Sequence, residues 1–307
     1  MLGIAEIGRY IPNVRVSNVE KLAKFELDED FLKNKLGVLS QSIKDEDEKT
    51  SDLCVKAFYD LEQKTEINKE DIECCIVVTQ NPDYNIPHTS AIVHGKLALE
   101  ESCACFDISL GCSGYVYGLS TIIAFMQNNG MKKGLLFTAD PYSEIIDHDD
   151  KNTDLLFGDA ATVTLISTEA LYKPVDFSFG TKGKEYQQLL CDKKLYMNGR
   201  AVFNFTATVV PKHIQNLMQK NNLSDDQIGR YILHQGSRFI VDTITKRLKI
   251  AQEKVPFNML EYGNTVSSSI PLILAEEMKS EHSYMLLSGY GVGLSWASTI
   301  LQKVEGK

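Results

Sequence analysis

The chain repeats itself, and this limits its folds more than any other feature. SDLCVKAFYDLEQK (51–64), patterned as an amphipathic helix, leads into NKEDIECCIVVTQN (68–81), a polar turn and an apolar strand. About 150 residues later, HIQNLMQKNN (213–222) leads into LSDDQIGRYILHQG (223–236) in the same order. Next in each half comes a small-residue turn that opens an apolar helix: GCSGYVYGLSTII (111–123) and GNTVSSSIPLILAEEM (263–278). Another strand follows in each: GLLFTAD (134–140) and YMLLSGYG (284–291). The alternation of strands and helices implies an α/β architecture. Chance parallels between α/β segments are the competing reading. On the duplication reading the halves run 1–170 and 171–307, with the boundary inside STEALYKP, and equivalent strand ends meet at the centre. That brings Cys112, His234 and Asn264 together.

The bulk properties narrow the class. Of 307 residues, 43% are apolar and 24% charged, ample for a sizeable core. The net charge of -9 argues against a nucleic-acid partner. No apolar run reaches the roughly 18 residues of a membrane helix, and MLGIAEIGRYIPN reads as a first strand rather than a secretion signal. The seven cysteines form no CxxC pair and no cluster with histidine. Neither disulfides nor a metal site are expected, and a reducing cytoplasm is the expected location.

Four features carry chemistry. Cys112 lies among Gly111, Ser113 and Gly114 at a helix start, where free N–H groups and the helix dipole favour a thiolate. The plain alternative is a small core cysteine. His234 ends the strand RYILH, where α/β folds place active residues, although for a lone histidine a satisfied core or surface place is the better reading. Asn264 sits in a Gly-Asn turn, as a reactive amide or as a helix cap. LLSGYGVGLSWAS (286–298) reads as one strand whose alternating glycines permit close approach of a ligand or backbone, or mark a bulge. A Cys–His–Asn set beside a glycine-rich backbone turn suits acyl transfer through a thioester.

These segments resemble the ketoacyl-(acyl carrier protein) synthase III family of the thiolase fold. CFDISLGCSGYVYGL resembles its nucleophile segment, and LLFGDAATVTLIS (155–167) its Phe-Gly-Asp strand. MNGRAVFNFT (197–206) is similar to a marker near the substrate tunnel. YILHQGS and EYGNTVSSSIPL resemble the His and Asn segments, and GYGVGLSWAS the C-terminal glycine-rich strand. The resemblance implies a five-layered αβαβα fold built from two duplicated halves, and a homodimer. It implies that Cys112 takes an acyl group from a coenzyme A or carrier thioester, with the backbone N–H groups of Cys112 and Val292 holding the oxyanion. His234 and Asn264 then stabilise the enolate formed as malonyl-carrier loses carbon dioxide. No metal or other cofactor is implied. The same-fold alternative delivers the acyl group to an oxygen or nitrogen nucleophile, with His234 as general base.

The resemblance also suggests further residues. Phe31, Lys35 and Ser237 stand where the family binds substrate. Ile86 stands at the tip of a loop that reaches into the partner's acyl pocket. Phe157, Met197 and Phe205 stand along the acyl pocket. Arg238, Lys246, Arg247, Lys249 and Lys254 make a basic segment able to receive an acidic acyl carrier protein, or a merely solvated helix face. Three departures from the family pattern leave a specialised member as open as a housekeeping one: Phe31 and Lys35 replace a Trp and an Arg, the stretch 40–50 is acidic where the family is basic, and Gly236-Ser237 replace the usual Ala-Asn after the histidine.

Overall fold

The computed structural model describes residues 2–306. Its centre is a nine-stranded sheet. The sheet strands are β1 (Gly3–Tyr10), β2 (Cys74–Val78), β3 (Ala104–Ile108), β4 (Lys133–Ala139), β5 (Ala161–Ser167), β6 (Tyr172–Thr181), β7 (Ile228–Leu233), β8 (Tyr284–Gly291) and β9 (Ser295–Lys303). A single bridge, Ile4 to Tyr172, joins two parts: β1-β5-β4-β2-β3 and β6-β9-β8-β7. The orders match. In each part the strand before the candidate residues pairs in parallel with the strand after the apolar helix: β2 with β4, and β7 with β8. The next pair is antiparallel in both.

Six helices complete the layers: α1 (Thr50–Lys64), α2 (Thr89–Leu97), α3 (Gly114–Asn128), α4 (Gly199–Lys220), α5 (Arg238–Leu248) and α6 (Ser269–Glu277). The outer helix α1 is amphipathic. Its Leu53, Cys54, Ala57, Phe58 and Leu61 form one buried stripe against β1, β4 and β5. Helices α3 and α6 touch strands of both sheet parts and are sandwiched between them. That position explains why α3 is apolar around most of its surface. Strand β2 is covered on both faces, so it reads as an unbroken apolar run rather than an alternation. Cys75 and Val77 face the outer helix; Cys74, Ile76 and Val78 face α3. Helices α4 and α5 close the far side, giving five layers.

One reading needs correction. Residues 286–298 are not one strand. β8 ends at Gly291, a tight turn spans Val292–Leu294, and β9 returns antiparallel, with Gly291 opposite Ser295. Gly293 has φ 124°, which permits the reversal. No helix among the described residues is long and apolar enough to cross a membrane.

Candidate active site

The two apolar helices start at the centre of the molecule; Cys112 and Asn264 lie in the turns that lead into them, and His234 ends β7. One cavity of about 400 Å³ is lined by Cys112, His234 and Asn264 together, with Tyr290 and Gly291 beside them. Cys112 lies two residues before α3. The turn before it closes through Gly114 N–H donating to Gly111 O at 2.7 Å. Ser113 Oγ meets Ser295 Oγ at 2.7 Å, tying this turn to the β8–β9 hairpin. The hairpin approaches so closely that a Cβ on Gly291 would stand 2.6 Å from Cys112 Sγ, and one on Gly289 2.5 Å from Cys112 O. The alternating glycines therefore admit a second stretch of backbone, the nucleophile's own loop.

Burial pushes the Cys112 thiol up to about 12, against hydrogen bonds from the backbone N–H groups of Val292 and Cys112. The thiolate expected from the helix start is thus not the resting form; desolvation outweighs the dipole.

His234 caps the end of β7 and is 2% exposed. Its Nδ1 lies 2.6 Å from Ser269 Oγ, at the start of α6. Tyr290 OH donates to its backbone carbonyl at 2.8 Å, and the two rings meet edge to face. Burial pushes the imidazole down to about 3, so it is neutral at pH 7 and offers one N–H donor. Asn264 Oδ1 accepts from Val266 N–H at 2.9 Å, a short cap that leaves the amide N–H₂ as the donor end. Neutral donors from His234 and Asn264 beside a buried thiol can polarise a thioester carbonyl and stabilise an enolate.

The cavity widens to exposed Lys35, Lys151, Arg200 and Phe239 at its mouth. Of the substrate residues expected from the sequence, Phe31, Lys35, Phe157, Met197 and Ser237 line it. Ser237 also caps α5, accepting from Ile240 N–H at 3.2 Å. Phe205 does not line this cavity. It packs against Trp296, with ring centroids 5.6 Å apart, while Phe203, two residues earlier, faces the cavity. Two residues turn a helix by roughly 200°, so only one of the pair can face inward. Ile86 is 87% exposed and does not line the pocket within this chain. The acidic stretch 40–50 does not line it either; Gln41, Ile43, Lys44 and Glu46 border a separate cleft with Glu144 and His148. Lys246, Arg247 and Lys249 are exposed on or just after α5. Arg238 stacks on Phe257 at 3.8 Å, and Lys254 pairs with Asp225 at 3.0 Å. Lys151, Arg200, Phe203, Phe239 and Tyr290 were missed, although all but Lys151 lie in segments the sequence singles out: Arg200 and Phe203 in MNGRAVFNFT, Phe239 in the basic segment and Tyr290 beside the glycine-rich turn.

Residues 106–183 match the family model "3-Oxoacyl-[acyl-carrier-protein (ACP)] synthase III", and residues 218–303 match its C-terminal counterpart. The chain is 31% identical to the beta-ketoacyl-[acyl-carrier-protein] synthase III of Streptococcus gordonii, over 97% of this chain and 98% of the relative. It is likewise 31% identical to that of Lactococcus lactis subsp. lactis, over the same shares. It superposes on the crystal structure of the Thermus thermophilus beta-ketoacyl-[acyl carrier protein] synthase III with a TM-score of 0.91 and 29% identity, covering 99% of this chain and 100% of the other. The fold is the thiolase fold. The chain belongs to the beta-ketoacyl-[acyl-carrier-protein] synthase III family.

Proposed function

We infer that the protein is an acyltransferase that joins an acyl thioester to malonyl-[acyl carrier protein] by decarboxylative Claisen condensation, giving a β-ketoacyl thioester. The observation that carries this reading is the convergence of Cys112, His234 and Asn264 on one buried cavity that opens to a basic mouth. Cys112 sulphur attacks the acyl carbonyl, and the donor's thiol leaves with the cysteine's proton. The N–H groups of Cys112 and Val292 hold the oxyanion, in line with their hydrogen bonds to the sulphur. The malonyl thioester then enters. His234 and Asn264 donate to its carbonyl while carbon dioxide departs, and the carbanion attacks acyl-Cys112 and expels the Cys112 sulphur. Decarboxylation itself generates the carbanion, so a neutral histidine suffices. No metal or other cofactor has a step in this scheme.

Phe31, Lys35 and Ser237 hold the thioester arm at the mouth, helped by Lys151 and Arg200, and Phe157 and Met197 shape the acyl end. Arg238, Lys246, Arg247 and Lys249 receive the acyl carrier protein; the last three are exposed on an acidic chain. The halves divide at 170/171, in the link between β5 and β6. A cytoplasmic location fits the seven free thiols. A homodimer is supported by the free edge of β3, whose five residues are all half-buried, and by exposed Ile86. Sedimentation at twice 34.4 kDa checks it.

The test is covalent loading. Incubation with a panel of acyl-coenzyme A and acyl-carrier thioesters, followed by intact mass spectrometry, yields one added acyl group, absent in Cys112→Ala. Failure of every donor, or loading that survives in Cys112→Ala, overturns the reading. With carrier-borne donors, Lys246→Glu and Arg247→Glu slow loading about tenfold, and less so at high salt. With a small thioester donor they have no effect.

A further inference from the structure

Asp140 is a fully buried carboxylate that the reaction scheme leaves unused. It follows β4, and its partners come from both halves of the molecule. Oδ1 accepts from Gln80 N–H at 2.7 Å. Oδ2 accepts the hydroxyl of Ser267 and lies 3.4 Å from Ser267 N, and Thr79 adds a further hydrogen bond. Gln80 Oε1 in turn accepts from Tyr142 OH at 2.9 Å and stands 2.5 Å from where Gly111 would carry a Cβ. On one side, then, the carboxylate fixes the wall behind the Gly111–Cys112 turn. On the other it grips Ser267, between Asn264 and Ser269, the hydroxyl that meets His234.

The gripped turn needs holding. Val266 is a β-branched residue at φ 52°, a left-handed conformation that L side chains of this shape resist. Asn264 secures its N–H from one side and Asp140 secures the next residue from the other. No Lys, Arg or His pairs with Asp140 among the described residues; the ionisable groups that feel its charge are Cys112, Tyr142 and Cys54 of α1.

We propose that Asp140 is a positioning residue: it sets the nucleophile's turn against the Asn264–Ser267 turn, and its negative charge adds to burial in opposing ionisation of Cys112. The proposal rests on Cys112 being the reacting thiol. Burial raises the Asp140 carboxyl to about 7, so its charge is complete in the alkaline range where the Cys112 thiol ionises.

The test reads the thiol directly. Iodoacetamide alkylation of Cys112 is followed by peptide mass spectrometry across pH in the full-length protein. In Asp140→Asn, the alkylation midpoint moves to lower pH by about one unit, because a like charge has been removed. Asp140→Ser, a smaller neutral replacement, moves it the same way. That variant carries the test should Asp140→Asn not fold. A midpoint unchanged in the folded variants overturns the proposal. Absence of acyl loading in the wild-type protein would instead overturn the function, so the two failures are distinct.

Discussion

His234 and Asp140 pull stability in opposite directions as pH falls. Folded His234 titrates near 3, against about 6.5 in an unfolded chain. Between those values the unfolded state takes up a proton that the folded state refuses, so the fold loses stability towards acid. Folded Asp140 titrates near 7, against a usual 3.8, so the folded state takes up the proton first and the burden of a buried charge is relieved below pH 7. Each slope approaches about 1.4 kcal/mol per pH unit where one state alone is protonated. Urea unfolding between pH 7 and 4 therefore finds His234→Gln more resistant to acid than wild type, and Asp140→Asn less resistant. Equal pH slopes in all three proteins contradict the assignment. At this scale the positions of Cys112, His234 and Asn264 were legible, because each ends or begins an element with a strong pattern. The ionisation of Cys112 was not, since burial depends on neighbours distant in sequence. Asp140 reads in TAD as an ordinary strand-end residue; its bond to Ser267 spans 127 positions.

Among elements, the β8–β9 hairpin carries the most information. Its glycines were legible as a close-approach signal, but the approaching group was not, because it is another loop of the same chain. The glycine-rich turn was legible, but the end of β8 was not, because Val292–Leu294 continue the apolar pattern on either side. Gly291 is the sensitive position. A methyl there, 2.6 Å from Cys112 Sγ, must displace the sulphur or the strand. Gly291→Ala therefore lowers the rate of Cys112 acyl loading by about a hundredfold, the scale of a 1 Å misplacement. Gly183→Ala, with no atom within 4 Å of the new methyl, leaves it unchanged. Equal rates in the two variants contradict this account. Helix phase explains the Phe205 error: the segment MNGRAVFNFT contains both Phe203 and Phe205, and its pattern does not tell which one meets the cavity.

Across the whole molecule, duplication was the most legible property. Equivalent segments recur in one order, and the two sheet parts share their strand order and directions. That symmetry is why a nucleophile from one half meets a histidine and an amide from the other. The mouth was less legible. Lys35, Lys151, Arg200 and Phe239 come from separate segments that no local pattern connects.

The central claim is that acyl-Cys112 is consumed by a carbanion made through decarboxylation, and a single turnover tests it directly. Protein preloaded on Cys112 is mixed with carboxyl-labelled malonyl-carrier, and released carbon dioxide and β-ketoacyl-carrier are counted against acyl-Cys112 lost. The account predicts one of each per acyl group, with Asn264→Ala loading normally but discharging at least tenfold more slowly. Discharge of acyl-Cys112 without carbon dioxide, to water, an amine or a hydroxyl, would contradict it.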